Sequence, residues 1–280
     1  MALPRYMTTS EKVSYYGLRV FVGAVLLFLI APIIAIMPLS FNSEIFFSYP
    51  MPGFSTRWYV GGDDGFLTNP RWTDAVRLSV IVAVATTALA TCLGTLAALG
   101  LSRSRIPGRA AIMAVLISPM IVPVIISAIG LFFFYAYTGL NGTLIGIILA
   151  HTALATPFVV ITVTATLMSF DRTLMRAGAS LGAPPHTVFF KVVMPLILPG
   201  VISGALFAFV TSFDEVIVIL FIGGPEQRTL PRQMFSGIRE QISPTITAAA
   251  SVLIVFSTVL LITVELLRRR GERLRGVKPS

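Results

Sequence analysis

Asp214 and Glu215 are adjacent carboxylates in a long apolar run, and between Lys191 and Glu226 they are the only charged residues. A carboxylate held away from water costs several kcal/mol unless a cavity or a cation offsets it. The pair therefore reads either as an attractor for a positively charged solute or as half of an ion pair with an arginine. On a regular helix neighbours point ~100° apart, which suits one carboxylate to a cavity and the other to a partner. No catalytic set accompanies them. His151 starts one apolar stretch and His186 sits in a separate polar segment, so the two histidines offer no metal cluster. His151 reads as a hydrogen-bonded packing residue, and the single Cys92 as a small buried hydrophobe. No Gly-x-x-x-x-Gly-Lys-Ser/Thr run is present, so any ATP chemistry belongs to another chain.

The second informative segment is 171–199. Asp171 can cap a short helix over 172–181. Leu174, Ala177, Gly178 and Leu181 recur at i, i+3, i+4 and i+7, a face of small and apolar side chains. Gly182 supplies a stop, and Pro184 or Pro185 can start a second helix. Val188, Phe189 and Val192 fall on one face of it. Pro195 and Pro199-Gly200 are expected to break the chain before the next apolar stretch. A face of this kind admits close approach of another protein, or lies on a bilayer.

The elements that carry these residues follow from composition. Of 280 residues, 55% are hydrophobic and only 12% charged, and mean hydropathy is +0.87. That is about half the charged share of a soluble protein. It excludes a disordered chain, and one cysteine excludes a disulfide scaffold. Crossing a ~30 Å hydrocarbon core takes about 20 apolar residues. The charge-free stretches predict six helices at about 20–41, 78–101, 111–136, 144–168, 200–222 and 246–267, an all-α membrane protein in one domain. The third and fourth are joined by a turn at Tyr137–Gly142, since Asn-Gly is a turn signal. The runs are continuous and too long for barrel strands. Pro119, Pro123 and Pro157 can kink their helices, and Gly94, Ala97, Ala98 and Gly204 allow close helix packing.

Fifteen of the 21 Lys and Arg residues flank one side of these spans and six the other. That bias predicts cytoplasmic termini, with 44–77 and 223–245 external. It also accounts for the net charge of +9 through attraction to anionic lipid; scattered basic residues without interleaved aromatics argue against nucleic-acid binding. The first span is too long for a cleaved signal's apolar core. In the loop 44–77, Trp58 and Tyr59 read as membrane-interface anchors, or as part of a docking surface.

Segment 171–199 resembles the EAA loop of ABC-importer permeases. The likeness rests on Arg176-Ala177-Gly178-Ala179-Ser180-Leu181-Gly182-Ala183, then Val193-Met194-Pro195-Leu196 and Pro199-Gly200. Arg176 stands where that family has Glu, reversing a charge at the expected contact, and Gly178 replaces its second Ala. Ser40-Phe41-Asn42, Gly53-Phe54-Ser55, Arg57-Trp58-Tyr59, Gly146–His151, Ser212-Phe213-Asp214-Glu215, Gly224-Pro225 with Leu230-Pro231, and Ile242-Ser243-Pro244 are similar to the spermidine/putrescine branch. The resemblance spans about residues 15–265.

It implies a type I ABC-importer permease fold in a bacterial inner membrane and a second, similar permease subunit. It also implies a pair of ATPase chains that bind ATP and Mg, and a periplasmic substrate-binding protein. The same likeness makes Leu174, Arg176, Ala177, Gly178, Leu181, Gly182, Ala183 and Pro195 the ATPase-coupling loop, and Asp214 and Glu215 the path of a polyamine. Iron, opine and phosphonate importers have related permeases. An ATPase-independent carrier is the runner-up, but no repeat relates 1–140 to 141–280. A membrane-embedded enzyme lacks any polar cluster to carry chemistry.

Overall fold

The computed structural model describes residues 8–102, 106–168, 171, 173–240 and 243–274. Ile242, and six of the fifteen basic residues counted on one side of the spans (Arg5, Arg103, Arg105, Arg172, Arg275 and Lys278), lie outside the described residues. The sequence reads as a single domain. By its internal contacts the chain divides into two compact units, 1–69 with 241–255, and 70–240 with 256–280.

In the first unit, α1 (Thr9–Leu39) starts well before the predicted span. Thr8 and Glu11 form a reciprocal capping box that satisfies two orphan amides, and this extends the helix into the polar leader. No α1 residue is buried. The loop that follows is not a flat interfacial strip. Trp58, on the short α2 (Arg57–Val60), is only 3% exposed and donates Nε1–H to the Asn42 carbonyl at 2.6 Å. Asn42 is buried and donates to the Phe46 carbonyl at 2.7 Å, while Tyr59 shares a 2.6 Å hydrogen bond with Ser40 Oγ. Asn42 pairs with Phe54 in an isolated bridge, and Arg57 stacks over the Trp58 ring and reaches Asp64 at 3.5 Å. The reading of Trp58 as a membrane-interface anchor is therefore corrected. An indole that finds a carbonyl acceptor inside its own loop packs there instead. Thr245 closes the unit by donating to the Asp64 carbonyl at 2.8 Å.

In the second unit, α3 (Pro70–Leu101) begins eight residues before its predicted start, with Pro70 at the first position where its missing N–H costs nothing. The expected third span is not one straight helix. It is α4 (Arg109–Ile121) and α5 (Val124–Thr138), bent by 103°. Pro123 cannot donate, and it forces Val122 into extended backbone at ψ 132°. Next, α6 (Leu144–Met168) matches its predicted bounds after the Gly139 turn. Then come α7 (Thr173–Ser180), α8 (Pro185–Val188), a π-turn over Phe189–Val193, and α9 (Met194–Phe213). The expected break at Pro195 and Pro199 is absent: the apolar helix runs from Pro185 to Phe213, because Pro195 falls in the first turn of α9. It ends earlier than the predicted 222. After a three-residue break come α10 (Ile217–Ile222), the amphipathic α11 (Leu230–Glu240) and α12 (Pro244–Leu274), whose portion from 256 belongs to this unit.

Among the described residues, five helices are long and apolar enough to cross a membrane, six spans if α4 and α5 together make one. In lipid the drive for helix association is close packing rather than transfer from water, and α3, α6 and α9 meet through glycines. A Cβ on Gly94 would stand 2.6 Å from Val159 Cβ, and one on Gly204 would stand 2.9 Å from the Val159 Cα. Ala90, Ala155, Val163, Ile197 and Ala208 complete that core. Cys92 is corrected from a buried to an exposed position on α3.

Candidate coupling loop and translocation site

Asp171 Oδ1 accepts the Thr173 N–H at 2.9 Å and caps α7. The same Thr173 backbone and hydroxyl hydrogen bonds hold the Asp171 carboxyl below the usual carboxylate range. The predicted face splits. Leu174 (44% exposed), Arg176, Ala177 and Leu181 (88% exposed) point outward. Gly178 turns inward, where a Cβ would stand 3.1 Å from Val188 Cγ2. The departure from the second Ala to Gly has a packing consequence: a Cβ on this turn of α7 would press on the Val188 side chain, which would have to give by a few tenths of an ångström. Gly182 ends α7 at φ +78°, a conformation other residues resist, with the Gly182 and Ala183 amides bonded to the Ala179 and Gly178 carbonyls. Ala183 is half-buried, and Pro195 is exposed in the first turn of α9.

Behind α7 lies a cavity of about 440 Å³ lined by Met175, Ala179, Ala183, Val188, Phe189 and Val193, with Leu99 and Leu167 from the ends of α3 and α6. The π-turn brings Val188 and Val193, five apart, to one buried face, so the predicted face of Val188, Phe189 and Val192 gives way to that pair.

Asp214 and Glu215 do not sit on a continuous helix, and the ~100° argument is corrected. α9 stops at Phe213, Asp214 is its C-cap, and Glu215 Oε1 accepts the Val218 N–H at 2.9 Å at the start of α10. Asp214 is exposed and Glu215 half-buried. Two residues before Asp214, Ser212 is buried and shares a 2.9 Å hydrogen bond with Nδ1 of His151, itself 1% exposed on α6. His151 is a packing residue, as expected, and it pins the last turn of α9. After the break, Val218, Ile219 and Ile222 bury against Ala128, Tyr135 and Ile147. In the loop beyond, Arg232 donates to the Gly224 and Gln227 carbonyls at 2.6 and 2.9 Å. Burial, with Arg228 adding repulsion, pushes its guanidinium below the ordinary value.

The family of binding-protein-dependent transport system inner membrane components matches residues 90–273, a stretch containing both the segment 171–199 and the broken α9. The chain belongs to this family. The permease is 32% identical over 256 residues to the spermidine/putrescine transport system permease protein PotC of Shigella flexneri, covering 91% of this chain and 95% of that protein. It is 32% identical over 234 residues to the putrescine transport system permease protein PotI of Escherichia coli strain K12, covering 81% and 82%. Its fold is shared with a chain of a bacterial ABC transporter that imports the acidic polysaccharide alginate (TM-score 0.72, 16% identity, 95% of this chain and 99% of that one). This is an ABC-importer permease, an all-helical, multi-pass membrane component.

Sequence reasoning missed the His151–Ser212 bond, the cavity behind α7 and the inward turn of Gly178. The first joins residues 61 apart and has no local signature. The π-turn had one signal: the apolar pair Val188 and Val193 is spaced for neither an α-helix nor a strand.

Proposed function

We propose that this permease is one of two similar membrane subunits of an importer for a small organic cation, a polyamine of the spermidine/putrescine class. The observation that carries the reading is Asp214, an exposed carboxylate at the break of an apolar helix. The likeness to polyamine permeases over most of the chain supports it. A lone carboxylate attracts an ammonium group released by a binding protein, yet holds it loosely enough to let it leave. ATP and Mg are bound by a pair of partner ATPase chains, which grip the segment 171–199 from the cytoplasm. Movement of that segment drives alternating access. Arg176 then meets a groove of different charge from the one that accepts the family's usual Glu. Both termini lie in the cytoplasm, and the loops 44–77 and 223–245 face the periplasmic binding protein.

The test is uptake by the assembled importer. Unlabelled putrescine and spermidine should compete with the labelled substrate. Asp214→Asn should reduce uptake at least tenfold while the complex assembles normally. Loss of the complex instead would assign Asp214 to an ion pair with the second permease, since removing one partner strands a buried charge. Failure of polyamines to compete in the wild type would remove the substrate class.

A further inference from the structure

The broken end of α9 carries more than a carboxylate. Phe209 and Phe213, one turn apart on α9, stack at 5.6 Å and 14°. Phe256 of α12 joins both, at 5.6 Å from Phe213 and 6.4 Å from Phe209. Phe256 is 41% exposed, and Phe209 and Phe213 are only partly buried, so the cluster is not sealed into the core. Phe209 also forms the edge of a groove of about 490 Å³ on α3, whose other walls include Val84, Thr91 and Cys92. The residue directly after Phe213 is Asp214.

Three electrostatic features share this end of the helix. Aromatic faces attract cations through the ring quadrupole. The final carbonyls of a helix lack intrahelical donors and form the negative pole of its dipole. The Asp214 carboxylate adds a full charge. Discontinuous membrane helices present such carbonyl ends to cations. The His151–Ser212 hydrogen bond ties the last turn of α9, which carries Phe209 and Phe213, to α6.

We propose that Phe209, Phe213 and Phe256 form the wall of an alkylammonium transit site at the end of α9: the rings take the methylene chain and one ammonium group, and Asp214 with the last-turn carbonyls takes the other. This rests on the polyamine reading above and adds what selects the solute. Carboxylates alone would pass any small cation. An aromatic wall favours one whose charges are separated by a hydrocarbon spacer.

The experiment measures maximal uptake of labelled putrescine by the assembled importer, saturated with its binding protein, for Phe213→Leu, Phe256→Leu, Phe213→Tyr and Phe256→Tyr. Leucine keeps apolar packing and removes the ring; tyrosine keeps the ring. The expected result is a three- to tenfold loss in both leucine variants, near-normal rates in both tyrosine variants, and equal complex yield in all four. Wild-type rates in the leucine variants would overturn the proposal. So would loss of assembly in leucine and tyrosine variants alike, which marks the cluster as packing between α9 and α12. If the leucine variants transport normally while Asp214→Asn does not, the aromatic wall alone is wrong. If putrescine does not enter through the wild type, the polyamine reading falls with it.

Discussion

At Gly182 the chain needs φ +78°, and no heavy atom lies within 4 Å of where a Cβ would stand. Bulk is therefore tolerated sterically, and the cost of substitution is backbone strain, about 1–2 kcal/mol. Gly182→Phe is expected to insert normally and to lose co-purifying ATPase, or to hydrolyse ATP without uptake. Unchanged uptake and ATPase association would remove the coupling role from this loop. Asp171 makes a second prediction. Its folded carboxyl lies below the unfolded value of ~3.9, so the cap is fully present above that pH. Its contribution is lost only as pH falls through the lowered folded value. Hydrogen exchange at the Thr173 amide should thus stay protected from pH 7 to below 4, and Asp171→Ala should remove that protection at every pH. Equal protection in the variant would refute the cap.

Among the elements, α3, α6 and α9 form a packed frame, and its tightness is set where glycines meet Val159. Any side chain at Gly204 must displace the α6 backbone, so Gly204→Val should cost at least 2 kcal/mol by overpacking and lower the thermal midpoint of the complex by several degrees. Gly178 differs in kind. A Cβ there meets the Val188 side chain and no backbone atom. Gly178→Val should leave the frame and its melting point intact while tilting α7 and reducing uptake. Equal thermal losses in the two variants would show that α7 is part of the frame rather than a part moved against it.

On the scale of the whole molecule, fifteen of 21 Lys and Arg residues on one side of the spans predict orientation. With the exposed Cys92 replaced by Ser, a cysteine at position 178 should resist an impermeant thiol reagent in intact cells and react in inverted vesicles. One at position 63, exposed in the loop after α1, should do the reverse. Reaction of position 178 from outside would overturn the topology.

The helical class, the apolar stretches and the helix–glycine–helix form of segment 171–199 were legible in the sequence because each rests on local composition. Apolar length decides where a helix can cross, a cap decides where α7 starts, and a glycine decides where it stops. Leu144–Met168 came out to the residue for that reason: an Asn-Gly turn marks its start and a charged segment follows its end. Three things waited for tertiary structure. Trp58 could face lipid or its own loop, and only the Asn42 carbonyl at 2.6 Å decided between them. The chain at Asp214 could have continued as a helix. It breaks where Ser212 is tied to His151, Glu215 caps a new helix, and Val218 and Ile219 bury against α5 and α6. Gly178 could face out with Ala177, but Val188 lies ten residues further along the chain, beyond the Gly182 turn. Each of these outcomes depends on an atom contributed from beyond the element concerned, and no periodicity within one segment encodes where that atom will be.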